Sequence, residues 1–197
     1  MGLVVEDSNK GRILNSLLQC IVEEGICNVT MRKIAEKADI NLGSLHYYFK
    51  SKENIFIEFI QRLFETFIAD IEKRCRPSDS PEKKLDAFFE TGKRFVARQK
   101  DLFIVFVDLW GVSIRNSAMQ RIFIEWYEKL SLEMEEIIQE GIEKGVFNNV
   151  SRHTLSVSFI AFVEGIGLHW HMRNGSFDLN EHFEIMTENL KKIILKK

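Results

Sequence analysis

The stretch that decides the fold is TMRKIAEKADINLGSLHYYF, residues 30–49. Thr30 is a good N-cap for a short helix over 31–38, whose apolar positions lie on one face. A tight turn, 39–41, follows, and its last residue can cap a second short helix over 42–48. Two short helices joined by a three-residue turn predict a helix-turn-helix, whose second helix fits the major groove of DNA.

The charge around this motif agrees with nucleic-acid binding. Between Thr30 and Lys52 there are five cations and two anions, a net charge of +3, whereas the whole chain has a net charge of -2. Because phosphate neutralisation supplies most non-specific affinity for DNA, a DNA-binding segment requires such a local basic patch. The alternative interpretation is a helical hairpin with a solvated charged face, since helix-turn-helix spacing is permissive.

Outward from this motif, apolar residues recur at helical spacing, and no segment of useful length alternates with the period of a strand. The only two prolines, Pro77 and Pro81, lie in one short segment, which predicts a break between helices. The sequence therefore predicts an all-α protein with about nine helices. Their predicted ranges are 10–24, 31–38, 42–48, 52–74, 82–98, 101–114, 118–144, 152–172 and 181–195.

Residues 30–55, TMRKIAEKADINLGSLHYYFKSKENI, resemble the DNA-binding signature of the tetracycline-repressor (TetR/AcrR) family, roughly T-hydrophobic-basic-x-I-A-x-x-A-G-V-S-x-G-T-L-Y-x-Y-F-x-S-K-E-x-L. Three positions depart from it. Asp39 replaces the usual turn glycine, so the turn must tolerate a side chain. Leu42 stands where polar or basic residues are common, so it removes a possible DNA contact or adds one to a thymine methyl. His46 replaces a frequent tyrosine, so its contact to phosphate or base differs.

The resemblance implies a DNA-binding domain over 1–51 and a ligand-binding and dimerisation domain over 52–197. It also implies a homodimeric, ligand-responsive repressor of a palindromic operator in double-stranded DNA. The residues predicted to contact DNA are Thr30, Arg32, Leu42, Gly43, Ser44, His46, Tyr47, Lys50 and Lys52. Leu45, Tyr48 and Phe49 are instead predicted to pack the small domain together.

The remaining two thirds of the chain have an aromatic-rich centre, which is either packed solid or encloses a ligand cavity. The resemblance implies a cavity for a small effector. Its predicted lining is Phe103, Phe106, Val107, Trp110, Phe123, Trp126, Phe162 and Glu164, with Asp108 as a further polar group. This lining suits an apolar or aromatic molecule, and aromatic faces beside a carboxylate could also hold an organic cation.

The last two predicted helices have surplus apolar surface, which favours a four-helix interface between two copies of the chain. In 152–172, Gly165 and Gly167 permit a close helix approach. In 181–195 the apolar stripe is formed by Phe183, Met186, Leu190, Ile193 and Ile194. Either Asp178 or Asn180 caps the final helix. Residues 162–170 and 174–178 also resemble, over a short match, the C-terminal region of BetI-like members of the family.

Other classes of protein are disfavoured. The three cysteines share no metal-ligand spacing, and His169 and His171 lie about 200° apart on a helix, so we expect no metal site and no cofactor. No nucleophile-and-base arrangement indicates an enzyme. No apolar run approaches a membrane span, and no secretion signal opens the chain, so we expect a cytoplasmic protein. The alternative function is a small-molecule-binding helical protein that has lost specific DNA reading.

Overall fold

A computed structural model describes residues 8–98 and 100–196. The described chain forms nine α-helices and no β-strand, which confirms the all-α prediction. The helices are α1 (Asn9–Glu24), α2 (Met31–Lys37), α3 (Leu42–Tyr48), α4 (Lys52–Arg74), α5 (Pro81–Arg98), α6 (Lys100–Ser113), α7 (Ser117–Glu143), α8 (Arg152–Met172) and α9 (Leu179–Ile194). A short 3-10 helix, Ile26–Asn28, was not predicted.

The helices divide between two compact units, which differ from the predicted domains in how they partition the chain. The first unit comprises residues up to Thr66 together with Asp101–Ile124, and the second comprises Phe67–Lys100 and Glu125 onward. The predicted domain boundary after residue 51 stays a prediction. The core of the first unit includes side chains with no exposed surface from several helices: Ile13, Leu17, Ile34, Leu45, Ile55 and Phe59.

The second unit contains α5, α8, α9 and most of α7. Its helices approach closely at Gly92 of α5, where an added Cβ would lie 3.0 Å from Val163 of α8. The predicted close approach at Gly165 is not made within the described chain, because nothing lies within 4 Å of a Cβ built there. Gly165 therefore leaves open space on α8.

The apolar stripe of α9 is a core feature of the second unit, which corrects its assignment to an interface between subunits. Phe183, Leu190 and Ile194 are buried within the chain, and only Ile193 of that stripe is clearly exposed. The side chain of Asp178, not that of Asn180, caps α9, because its Oδ1 accepts hydrogen bonds from the amides of Asn180 and Glu181 at 2.8 and 3.3 Å.

The second unit contains one backbone contact outside its helices. Phe147 and Leu195 form an isolated antiparallel bridge, which joins the segment after α7 to the segment after α9. The Phe147 ring is fully buried and lies directly over Gly141, where an added Cβ would meet Phe147 Cδ2 at 2.0 Å. Only glycine fits at position 141 without moving this ring.

Candidate functional site

Local hydrogen bonds fix the start and the end of α2. The side chain of Thr30 accepts a hydrogen bond from the Lys33 amide at 3.3 Å, as the N-cap prediction requires. At the other end, Arg12 Nη2 of α1 donates to the Ala38 carbonyl at 2.8 Å. A guanidinium at a helix C-terminus satisfies a free carbonyl and complements the helix dipole. Helix α2 is therefore held at both ends.

The turn between α2 and α3 tolerates a side chain at the position of the usual glycine. Asp39 adopts a left-handed conformation with φ of 53°, and its amide donates to the Glu36 carbonyl at 3.2 Å. Asp and Asn accept this conformation more readily than other side-chain-bearing residues. Ile40 is half-buried, and its amide donates to the Ala35 carbonyl at 3.0 Å.

Helix α3 is set by a cap and by its buried side. Asn41 Oδ1 accepts a hydrogen bond from the Ser44 amide at 2.7 Å, as predicted. Leu45 and Phe49 are buried, which confirms that they pack the small domain. Tyr48 is half-buried, and its hydroxyl accepts a hydrogen bond from Asn9 Nδ2 at 2.8 Å. Asn9 was missed by the sequence reasoning, because nothing in its own segment marks it.

The opposite side of α3 is exposed and holds the predicted contact residues. Tyr47 is 79% exposed and Leu42 41%. His46 and Gly43 are also exposed, and Ser44 is half-buried. An exposed second helix of a helix-turn-helix is the element that enters the major groove. The structure therefore brings the predicted residues of α3 onto one accessible helix, while their contact with DNA stays a prediction.

The predicted basic patch is more neutral than the local count of charges indicated. Lys33 is paired with Glu24, and Lys37 with Glu23. Both carboxylates belong to α1 and lie outside the window that was counted. The hydrogen bond to Glu23 raises the pKa of Lys37 by more than burial lowers it, so the pKa of Lys37 lies above its ordinary value.

The threonine and the three cations predicted to hold phosphates have different environments. Thr30 and Arg32 are exposed, and Arg32 Nε lies 3.0 Å from Glu36 Oε1. Lys52 is half-buried, and its Nζ donates to the Val29 carbonyl at 2.9 Å. Lys50 is exposed, and no carboxylate among the described residues pairs with it. Lys50 is therefore the cation of this set that is most available to a phosphate.

The predicted effector residues fall in both compact units. In the first unit Phe103, Phe106 and Phe123 are buried, and the Phe106 and Phe123 ring centroids are 5.7 Å apart. Trp110 is 42% exposed, and Val107 and Asp108 are half-buried. Burial raises the pKa of Asp108. That all eight predicted residues line one cavity stays a prediction.

In the second unit a half-buried carboxyl group, that of Glu164, is bonded to a tyrosine. The Tyr127 hydroxyl donates to Glu164 Oε1. Burial raises the pKa of Glu164, and the bond from Tyr127 opposes that shift. Trp126 is buried, with ring centroids 5.0 Å from Tyr127 and 5.9 Å from Phe67. Tyr127 was missed, because a partner 37 positions away leaves no signal in the sequence.

Phe162, also predicted to line the cavity, packs on α9, with ring centroids 5.2 Å from Phe183. A cleft of about 370 Å³ lies nearby, between α5 and α9, at a place the sequence did not indicate. The buried rings of Phe89 and Phe183 are at this cleft. Its other lining residues are Asp86, Glu90, Lys93, Glu184, Thr187 and Glu188.

One face of α8 is exposed and uncharged. Val157, Leu168 and Met172 are 47%, 42% and 73% exposed. Ala161 and Gly165 continue the same face at helical spacing between them. A continuous apolar strip on one helix is typical of a surface that another chain covers. This strip, Val157–Ala161–Gly165–Leu168–Met172, is called the α8 strip below.

The described part of the chain offers little support for a metal site or a membrane span. No group of three or more His, Cys, Asp and Glu side chains is placed there to hold a metal ion. His171 is tied to the backbone, since its Nε2 lies 3.2 Å from the Val96 carbonyl, and burial lowers its pKa. None of the described helices combines the length and apolarity needed to cross a membrane.

A capped helix-turn-helix followed by a larger helical part defines a helix-turn-helix transcriptional regulator. The chain belongs to the TetR family of bacterial regulatory proteins. The family description "Bacterial regulatory proteins, tetR family" matches residues 13–59, and "BetI-type transcriptional repressor, C-terminal" matches residues 81–195. The resemblance read from the sequence is thereby confirmed at both ends, and the family is one of transcriptional regulators, not of enzymes.

Similar proteins agree with this assignment. The HTH-type transcriptional repressor KstR2 of Mycolicibacterium smegmatis is 24% identical over 169 residues, 85% of this chain and 82% of that protein. A putative transcriptional regulator from Saccharomonospora viridis, solved with choline, covers 98% of this chain and 100% of its own, with a TM-score of 0.84 and 19% identity. FadR from Bacillus subtilis, solved with stearoyl-CoA, covers 90% and 95%, with a TM-score of 0.77 and 22% identity.

Proposed function

We propose that the protein is a homodimeric repressor that binds a palindromic operator and is released by a small apolar or aromatic molecule. Residues 1–51 would bind DNA, and residues 52–197 would bind the effector and the second subunit. The observation that carries the proposal is the α3 helix, fixed by the Asn41 cap and by buried Leu45, with its opposite side exposed. Because chromosomal DNA is the partner, its place of action is the cytoplasm.

DNA binding rests on two sets of side chains. Ser44, His46 and Tyr47 of α3 would contact the operator in the major groove, and the cations would hold phosphates on either side. Among those cations Lys50 needs to break no ion pair within the described chain before it binds a phosphate. Each neutralised phosphate releases counterions, which makes affinity fall with salt.

The test is a salt series of gel-shift titrations on DNA from upstream of the protein's own gene. Lys50→Ala should weaken binding on every sequence and reduce the slope of log affinity against log salt by about one per site touched, hence about two for a dimer. Lys83→Ala, an exposed lysine of α5, is the matched control and should change neither quantity. An unchanged slope in Lys50→Ala would remove Lys50 from the interface.

The alternative function, a ligand-binding protein without specific DNA reading, has one observation in its favour. Lys33 and Lys37 are already paired with Glu24 and Glu23, which reduces the attraction to phosphates. The same titrations separate the two functions. A regulator binds its upstream DNA at least about a thousandfold more tightly than random DNA, whereas the alternative predicts equal, weak binding to both.

The effector proposal rests on the group of Glu164, Tyr127 and Trp126. A half-buried carboxyl group with one hydroxyl donor keeps acceptor capacity. The Tyr127 ring that carries this hydroxyl contacts the Trp126 ring, and aromatic faces attract organic cations. The complexes of similar structures with choline and with stearoyl-CoA support a search among quaternary ammonium ions and long acyl chains. Binding that favours one arrangement of the helices need supply only about 1–3 kcal/mol of coupling to reduce operator affinity 5- to 150-fold.

Tryptophan emission and melting temperature test this proposal together. Fatty acids, aromatic compounds and quaternary ammonium ions are to be screened for a change in emission and for a melting temperature that rises with the logarithm of ligand excess. Glu164→Gln should weaken a cationic ligand and leave a neutral one unchanged. Glu133→Gln, which changes a half-buried carboxyl of α7 outside the predicted lining, is the control. If all three ligand classes leave both signals unchanged, the effector proposal fails for those classes.

The homodimer proposal keeps α8 and uses the α8 strip in place of the α9 stripe, because Phe183, Leu190 and Ile194 of that stripe are buried within the subunit. The strip carries no charge, and Gly165 near its middle leaves room for a second backbone. Exposed Ile185 and Ile193 of α9 would extend the interface. A two-fold dimer would offer one α3 helix to each half of a palindromic operator.

A charge placed on the strip tests the dimer. Ala161 is exposed in the single chain, so Ala161→Glu should leave the subunit folded but yield monomers in sedimentation at micromolar concentration. Operator affinity should then collapse, because half-site binding loses its avidity. Ala118→Glu, at an exposed position of α7, is the control and should stay dimeric. A dimeric Ala161→Glu variant would contradict this placement of the interface.

A further inference from the structure

Leu42 is the side chain that the first turn of α3 presents to its surroundings. It is 41% exposed, although it is a leucine at the start of a short helix. Gly43 has no side chain, and an added Cβ there would lie 3.2 Å from Asn41 Oδ1. The amide of Ser44 is taken by the same oxygen. At this end of the helix Leu42 is thus the large group available for contact.

The start of α3, where Leu42 lies, is fixed by a hydrogen bond and by packing. The Asn41 cap fixes the helix start, and Leu45, fully buried, anchors the next turn. His46 follows Leu42 by four residues, so both lie on the same exposed side of α3. The N-terminal residues of a recognition helix are those that contact base edges in the major groove. Under the proposed function, on which this inference rests, Leu42 therefore meets a base edge and not the sugar-phosphate backbone.

The chemistry of leucine then restricts what it can recognise. The side chain of Leu42 has neither a donor nor an acceptor, so it forms no hydrogen bond with a phosphate or with the polar edges of guanine, cytosine or adenine. Covering such an edge with leucine removes water from polar atoms and returns nothing. The C5 methyl of thymine is the apolar group that the major groove displays. We propose that Leu42 reads the C5 methyl group of one thymine in each half of the operator.

Replacement of thymine by deoxyuridine tests this directly, because it removes the methyl group and preserves every hydrogen-bonding group. Each thymine of the operator is to be replaced in turn, with its symmetry mate, and the dissociation constant measured at fixed salt. At one symmetric pair the wild-type protein should lose about fourfold in affinity per half-site, or about 15-fold for both. At that pair a cytosine should bind more weakly than 5-methylcytosine, which restores only the methyl group.

Variants of Leu42 assign the effect to this side chain. Leu42→Ala should bind the thymine operator more weakly and no longer distinguish it from the deoxyuridine operator. Leu42→Met, which conserves volume and apolar character, should still distinguish them. Leu132→Ala removes an exposed leucine of α7 and should behave as the wild type. Melting temperatures of the variants should stay unchanged, because Leu42 is not part of the core.

The outcomes separate this inference from the proposed function. If deoxyuridine at every thymine leaves wild-type affinity unchanged while the operator is still bound specifically, Leu42 reads no methyl group and the repressor proposal stands. If Leu42→Ala still distinguishes thymine from deoxyuridine, another side chain reads the methyl group and the inference is wrong. If no upstream DNA is bound above random sequence, both proposals are overturned.

Discussion

The helix starts of the DNA-binding segment and the side-chain pairs of the second compact unit are stabilised by contacts of different range. In the segment, the side chains of Thr30 and Asn41 cap α2 and α3 by accepting hydrogen bonds from the amides of Lys33 and Ser44, each three positions away. In the second unit, Tyr127 reaches Glu164 across 37 positions and Lys84 reaches Glu140 across 56. The comparison teaches that the helix starts of the DNA-binding segment are specified locally. The packing of that segment against α1, through Arg12–Ala38 and Asn9–Tyr48, depends like the second unit on contacts between distant positions.

The largest effect is expected where the second unit is packed most tightly. In Gly141→Ala the new methyl group would overlap the Phe147 ring, so the variant should lose about 3 kcal/mol of unfolding free energy, the upper range for overpacking. Gly111→Ala in α6 is the control, because it fills open space within a helix and should gain about 1 kcal/mol. Chemical denaturation of both measures the difference, and equal stabilities would contradict the described packing.

The cap of α3 offers the corresponding test in the DNA-binding segment. Asn41→Ala should cost about 1 kcal/mol of unfolding free energy, since the Ser44 amide loses its acceptor, and should also weaken operator binding. Ser151→Ala at the start of α8 is the matched control. Its side chain makes no capping hydrogen bond to the helix, so thermal unfolding should hardly change. A larger loss in Ser151→Ala would reverse the comparison.

A smaller effect is expected from pH. Burial raises the pKa of Glu164 in the folded chain above its unfolded value, so the folded chain holds this proton to higher pH. Its contribution to stability is therefore present at low pH and is lost as the pH rises through the folded pKa. Urea titrations of wild type and Glu164→Gln between about pH 4 and pH 8 should show the wild type falling relative to the variant.

Asp108→Asn extends this pH test to the first unit. Burial raises the pKa of Asp108 as well, so the difference between wild type and variant should have the same sign. A wild type that gains stability relative to either variant as the pH rises would show that the carboxyl group concerned is stabilised in its charged form.

The smallest effect is expected at the turn between α2 and α3. Asp39→Gly should add about 0.5 kcal/mol of unfolding free energy, because glycine adopts the left-handed conformation without a steric cost. Asp39→Asn, which removes the charge but keeps a side chain that tolerates this conformation, should leave stability nearly unchanged. If both variants gain equally in differential scanning calorimetry, the charge and not the backbone is responsible.

The sequence predicted what local chemistry determines. The caps at Thr30 and Asn41 were read from residue type and spacing, and the range predicted for α3 matches Leu42–Tyr48. The family followed from the same stretch. Helix ends elsewhere were predicted to within two residues, since proline, glycine and capping side chains mark them.

The failures concern residues whose partners lie far along the chain. Leu190 lies on the apolar stripe of α9 and is buried within the subunit. Helical periodicity alone does not distinguish a face that is buried in the subunit from one that is buried in a dimer. The positive charge that the DNA-binding segment offers to phosphates was overestimated, because Glu23 and Glu24 of α1 pair with its lysines. Tyr127 has no pattern of its own that ties it to Glu164.

The pairing of Lys33 and Lys37 with α1 has a consequence for how a cell uses this regulator. Every chromosome offers millions of unrelated sequences, and a repressor with many free cations spends most of its time on them. Ammonium groups already neutralised by Glu24 and Glu23 contribute less to that indiscriminate adsorption. Under the proposed function, a larger share of the molecules stays available to the operator, so fewer copies per cell keep the regulated gene silent.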